Sequence, residues 1–192
     1  MKKIAWLLLL CGLNTMGQSI EKKDGTKIDV SGGRIFVEPG NKRLIYFEKD
    51  SKKAQRIKFK DLRQAAWKDT RFATFEVEGK PDGYYILAEH GGKKLLLHKR
   101  TRVKSRGGFE SAYTRYALIA YDNAVRSSIV FTDENTDDNI AKRASVLSWI
   151  QANFPDCAKL TERTAAFESP QSDDKHRTVL VLLNEPVYVP CP

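Results

Sequence analysis

The hydrophobic period of this chain changes once, at Thr136, and that change limits what it can fold into. From Thr26 to Thr132 the apolar residues come in short or alternating runs broken by turn residues, the mark of consecutive antiparallel strands. The strand candidates are Lys27–Val30, Arg34–Glu38, Arg43–Glu48, Gln55–Lys60, Arg71–Val77, Gly83–Glu89, Lys94–Lys104, Tyr113–Tyr121 and Ser127–Phe131. Between them stand Ser31-Gly32-Gly33, Pro39-Gly40-Asn41, Glu78-Gly79-Lys80, His90-Gly91-Gly92 and Asp122-Asn123, all good turn formers. Residues 59–67 read equally well as a helical turn or a continuing strand.

After Thr136 the spacing becomes helical. Ile140, Ala144, Leu147, Ile150 and Phe154 form a stripe, with Thr136 as cap and Asp137 and Asp138 in the first turn. Phe154-Pro155 ends this helix, and Asp156 can cap a second with Cys157, Leu160, Thr164 and Phe167 on one face. Residues 169–177 read as a polar loop, Thr178–Leu183 as one more strand, and Glu185 to Cys191 as an extended tail. Strands followed by helices predict an α+β fold. We expect an antiparallel β-rich sheet or partly closed barrel, followed by C-terminal helices and a final strand. A barrel of eight or more strands with a C-terminal helix is the specific alternative, and such a barrel can hold a ligand.

The N-terminus reads as a secretory signal peptide, residues 1–17. Lys2 and Lys3 precede the apolar run Ile4–Leu13, which is about half the roughly twenty residues a spanning helix needs. Cleavage is expected after Gly17, leaving residues 18–192 as a single β-rich domain with a helical segment at about 136–168. Cys11 offers a lipoprotein alternative, but Leu10 is larger than the small residue such processing prefers. The mature chain keeps two cysteines, and in an oxidising compartment Cys157 and Cys191 are expected to form a disulfide. Metal binding by that pair is the weaker reading, with no histidine pair nearby.

The chemistry-bearing motifs are absent: no G-x-S-x-G, no P-loop, no G-x-G-x-x-G and no H-E-x-x-H. His90 beside a glycine turn and His176 in a polar loop read as solvent-facing, and the carboxylates are scattered. No catalytic, metal or cofactor residue is assigned, and the balance favours a protein that is not an enzyme.

The sharpest feature is Lys93–Arg106, with seven Lys or Arg and no acid. As a strand, it carries His98, Arg100, Arg102, Lys104 and Arg106 on one face and Leu95, Leu97, Lys99, Thr101 and Val103 on the other. Clustered cations repel, and an oxyanion relieves that repulsion through bidentate guanidinium contacts. Tyr113, Arg115 and Tyr116 on the following strand can flank this face. The competing reading is a charged edge strand that discourages pairing with other chains, or one neutralised by neighbouring acids. With 33 Lys and Arg against 24 Asp and Glu, the chain carries +9, falling to +7 when Lys2 and Lys3 leave with the signal. Export and the lack of any nucleic-acid motif disfavour nucleic acid as the partner.

Gln18 after the cleavage point resembles the signal style of exported Bacteroidota proteins. Gly83-Tyr84-Tyr85-Ile86-Leu87-Ala88-Glu89-His90, Gly107-Gly108-Phe109-Glu110-Ser111 and Pro186-Val187-Tyr188-Val189-Pro190-Cys191 resemble segments of small exported proteins of that group with no assigned activity. The resemblance implies export and a β-rich fold and brings no site residues. The functional expectation is a periplasmic or secreted, non-enzymatic protein that binds an anionic envelope polymer or lipid headgroup. A structural or accessory protein acting through a protein partner is the alternative, and an enzyme with a site hidden from sequence the second.

Overall fold

The computed structural model describes residues 17–77, 79–106, 109–165 and 175–191, excluding the side chains of residues 80, 106, 109 and 175–177. The expected leader, Gly17 apart, falls outside these residues. Eleven strands precede the helices: β1 (Ser19–Lys22), β2 (Lys27–Asp29), β3 (Arg34–Glu38), β4 (Arg43–Phe47), β5 (Gln55–Lys58), β6 (Leu62–Trp67), β7 (Thr70–Val77), β8 (Lys80–His90), β9 (Lys93–Arg106), β10 (Phe109–Tyr121) and β11 (Val125–Thr132). Then come α1 (Asp137–Asn153), α2 (Ala158–Ala165), α3 (Lys175–Asn184) and the short β12 (Val189–Pro190). All nine expected strands are present, and the ambiguous 59–67 segment supplies β6.

The main sheet runs β11-β10-β9-β8-β7-β6-β1-β2, antiparallel throughout, with β12 added parallel to β8. Strands β3, β4 and β5 form a separate antiparallel sheet. The fold is thus α+β as expected, but β11 and β2 are free edges that do not meet, so the barrel alternative is corrected to an open sheet. The β8–β9 hairpin turns on Gly91 and Gly92, both at positive φ (+56° and +83°), which glycine adopts without strain.

One face of the main sheet is covered twice. Near β8–β11 the helices lie on it, burying Leu95, Leu97, Leu118 and Phe131 against Val146, Ile150, Val179 and Leu183. Near β1, β6 and β7 the small sheet does the same, packing Ile20, Leu62 and Phe72 against Ile35, Leu44, Ile57 and Phe59. Gly83 sits under this second core: a Cβ there would come within 2.3 Å of the Phe72 ring and 2.7 Å of Phe59.

The opposite face has a core of its own, formed by Ala73, Tyr84, Ile86, Leu96 and Ile119, with Phe75, Val77, Tyr121, Val125 and Tyr188 packed around them. These residues come from the sheet and the C-terminal tail alone. Strands β7 and β10 are three places apart, roughly 14 Å in a flat sheet. Yet the rings of Phe75 and Tyr121 are 5.4 Å apart. The sheet therefore coils over this face and covers it with its own side chains.

The helical segment follows its sequence signals with two corrections. Thr136 caps α1 by accepting a hydrogen bond from the Asn139 amide, and Asp137 and Asp138 occupy the first turn. Ala144, expected in the apolar stripe, is exposed, and Arg143 is buried in its place. The Arg143 guanidinium donates to the carbonyls of Thr132 (2.6 Å) and Glu134 (3.0 Å) and to Asn135 Oδ1, tying the end of β11 to the helix. The second correction is the expected strand Thr178–Leu183, which lies in α3, as do residues 175–177 of the expected loop. Val179, Leu182 and Leu183 are buried while Val181 is 58% exposed. That is a helical spacing, which a six-residue apolar run does not distinguish from a covered strand. Packing on α1 decides it. Cys157, just before α2, and Leu160 and Thr164 within it are buried as expected, while Phe167 lies outside the described residues. No helix among the described residues is long and apolar enough to cross a membrane.

The tail runs back to the sheet. Thr70 Oγ1 donates to the Pro186 carbonyl, the Tyr188 amide donates to the Asp69 carbonyl, and Val189 pairs beside Ala88. Cys157 and Cys191 form the expected disulfide, joining the start of α2 to the residue after β12. The sequence separation is 34 residues. Closing a loop of that length is worth about 3–4 kcal/mol in chain entropy. Replacing both cysteines with serine is expected to lower the thermal midpoint by roughly 10 °C. Mass spectrometry should show two alkylated thiols only after reduction.

Candidate functional site

The coiled face carries the basic strand residues. Its composition changes along two paired strands: Leu96 faces Ile119, His98 faces Ala117, Arg100 faces Arg115, and Arg102 faces Tyr113. Both strands pass from apolar near the sheet's middle to cationic toward the hairpin tip. The pairing of β8 with β9 ends at Tyr85 and Leu97, so from His98 onward β9 has β10 alone as its strand partner. The helix-facing residues record the same loss of cover. Leu95 and Leu97 are fully buried and Lys99 half-buried, but Thr101 is exposed and Val103 is 64% exposed. Core cover on this face, expected for most of its length, stops about halfway along β9.

Where β8 leaves β9, an open trough of about 620 Å³ lies between them and extends over β10 and β11. Val77, Tyr84, Ala117, Ile119, Val125 and Val130 supply its apolar surface, and Asp82, His98, Arg100, Arg102, Arg115 and Ser128 its polar surface. Tyr84 packs its ring 5.5 Å from that of His98.

The trough is electrostatically incomplete. Among the described residues, Arg100, Arg102 and Arg115 have no carboxylate and no hydrogen-bond partner, although Arg100 and Arg115 stand directly opposite each other. Asp82 is the acid in the trough, and Lys42 approaches it to 3.3 Å. His98 Nε2 is buried, lies 3.7 Å from Asp82 and has no hydrogen bond. Burial holds the His98 pKa below its ordinary value. Asp82 pulls it upward, while Arg115, Arg100 and Lys42 push it further down.

Of the five residues expected on the basic face, His98, Arg100 and Arg102 line the trough. Lys104 is on the same strand face but is already neutralised, 2.8 Å from Glu134 and over the Tyr113 ring at 4.3 Å. Arg106 ends β9, and its side chain lies outside the described residues. Arg115 joins the site from β10, whereas Tyr116 points to the helix side, where it stacks on Phe131 and donates to Asn184 Oδ1. Alternation along β10 could have made that distinction in the sequence. Asp82 and Val77 carried no such signal, because only the divergence of β8 from β9 brings them in. His90 ends β8 half-buried, with Nδ1 lacking a hydrogen bond, and His176 lies in α3 with its side chain outside the described residues.

A second cavity of about 490 Å³ lies among β1, β6, β7 and β8. Its acids are satisfied: Glu89 by Arg71 and Lys94, Glu21 by Arg63 and Gln64. It therefore presents no unmet acidic charge. Among the described residues no group of three or more His, Cys, Asp or Glu side chains could hold a metal ion. Comparison with protein-family models, with curated proteins and with solved structures finds no match.

Two expectations follow from the charges. Like charges directly opposite on a strand pair cost about 0.2–1 kcal/mol. Arg115→Gln should therefore raise the thermal midpoint by about 1–3 °C at low salt, with the gain fading at high salt. His98 protonates more readily unfolded than folded, so its contribution to stability is present above its ordinary pKa of about 6.5 and is lost as pH falls through the lower folded value. Urea midpoints measured from pH 7.5 to 5 should fall more steeply for the native chain than for His98→Gln.

Proposed function

We propose that this is an exported binding protein that holds an anionic ligand of the cell envelope in the trough above β9 and β10. The observation that carries the reading is the convergence of Arg100, Arg102 and Arg115 with no carboxylate among the described residues to meet them, while nearby Lys104, Lys94 and Arg71 each have one. Guanidinium groups left unpaired on a shared surface are costly in the free protein and are relieved by an oxyanion bound in bidentate fashion. The disulfide supports an oxidising location, and the leader read from the sequence supports export.

A protein contact is the second reading. It is supported by the β9 edge beyond Leu97, where the pairing with β8 ends.

The test is thermal stability of residues 18–192 against inorganic phosphate, sulfate and heparin, at low and at roughly physiological salt. A ligand specific to the folded state raises the midpoint by mass action. Phosphate or sulfate should give a shift that survives the higher salt. Replacing Arg100, Arg102 and Arg115 with glutamine should weaken binding at least tenfold, since each charge-assisted bond is worth about 1.5–3 kcal/mol. Lys49, Lys52 and Lys53, changed to glutamine together, remove the same charge from an exposed loop and should leave binding intact. Equal losses in both triple variants would reduce the effect to net charge and defeat the proposal.

A further inference from the structure

We infer that the ligand is a single-headed amphiphile, an oxyanion joined to one apolar chain, with its head at Arg100, Arg102 and Arg115 and its chain along Ala117, Ile119, Val125 and Val130. This rests on the anion-binding reading and specifies the class of anion. Two features of the trough carry it.

The first is the extent of the unpaired charge. Cross-strand neighbours lie about 5 Å apart and residues two along a strand about 7 Å apart. Three guanidiniums on two adjacent strands thus form a patch the size of one phosphate or carboxylate head. Among the described residues the neighbouring cations are taken: Lys104 by Glu134, Lys42 by Asp82, Lys94 and Arg71 by Glu89. An extended polyanion needs a longer run of free cations than the described residues of this surface offer.

The second is what continues from the patch. Below Arg115 the next inward residues on β10 are Ala117 and Ile119, 6% exposed each, and Leu96 beyond His98 is fully buried. Val77, Val125 and Val130 remain half-buried along the walls, and Phe75 and Tyr121 pack around the same apolar cluster. A bare inorganic anion uses none of this surface. A volume of about 620 Å³ falls within the roughly 300–1,000 Å³ usual for sites that take whole organic molecules. A fatty carboxylate and a lipid phosphomonoester share the required chemistry.

The experiment is calorimetric titration of residues 18–192 at roughly physiological salt with octyl phosphate, octanoate, octyl glucoside and inorganic phosphate, below micelle-forming concentrations. Octyl phosphate or octanoate should bind at least tenfold more tightly than inorganic phosphate, a gain that burial of about two methylenes provides. Whichever of the two binds more tightly distinguishes a phosphate head from a carboxylate. Val130→Gln should bring the octyl ligand most of the way back toward inorganic phosphate, with an unchanged circular-dichroism spectrum showing that the variant is folded. Arg115→Gln should weaken octyl ligand and phosphate alike.

Equal affinity for phosphate and both octyl anions would overturn the amphiphile and leave the anion site standing. Octyl glucoside binding as tightly as octyl phosphate would overturn it from the other side, since the arginines would then select nothing. If none of the four ligands binds, the anion reading and the amphiphile fall together.

Discussion

Three consecutive leucines, Leu95-Leu96-Leu97, are each fully buried. A strand points successive side chains to opposite faces, so such a run requires cover on both sides of the sheet. On one side that cover is the helical segment, reached through Leu95 and Leu97. On the other no helix among the described residues arrives, and Leu96 is buried because the sheet coils until side chains of β7 and β10 touch. The coil creates a concavity, and the continuation of the same strand furnishes it: two residues past Leu96 stands His98, and two past that Arg100. Core and candidate site are thus successive stretches of one strand face, and the trough begins where apolar cover gives out.

The second constraint sits at the other end of the helical layer. Arg143 is fully buried and holds the carbonyls of Thr132 and Glu134, fixing the angle at which the chain leaves β11 and enters α1. A charged side chain is tolerated there because Nη1 meets two backbone carbonyls and Nη2 the Asn135 side chain. Glu134, whose carbonyl Arg143 holds, neutralises Lys104 with its side chain. Helix packing and charge compensation on the neighbouring hairpin therefore meet in one residue, and the free guanidiniums start just beyond its reach.

Much of the fold was legible because period and punctuation are local. Nine strands, the Thr136 cap and the end of α1 at Phe154 can be read from spacing and turn chemistry alone. Strand β1 was not foreseen, since Ser19–Lys22 holds a single apolar residue and gains its place by pairing with β6. The stretch that becomes α3 misled because its valines favour strands, and only its contact with α1 selects the helical spacing. The site was half legible. Alternation along β9 groups His98, Arg100 and Arg102 correctly, but which cations stay uncompensated depends on Glu134, Asp82 and Glu89, which tertiary structure alone brings near.

The return of the tail to β7 also bears on how the chain reaches this state. Thr70 and Pro186 are 116 residues apart in sequence, and Val189 completes a pairing with a strand near the middle of the chain. Contacts of such high contact order form late and slowly, because the loop they close must first lose its freedom. A polypeptide synthesised from its N-terminus cannot finish this fold until Val189 and Pro190 have been made. Until then the apolar edge beside Ala88 stays open to chaperones or to mispairing, and the structure that excludes both is sealed by the last strand to arrive.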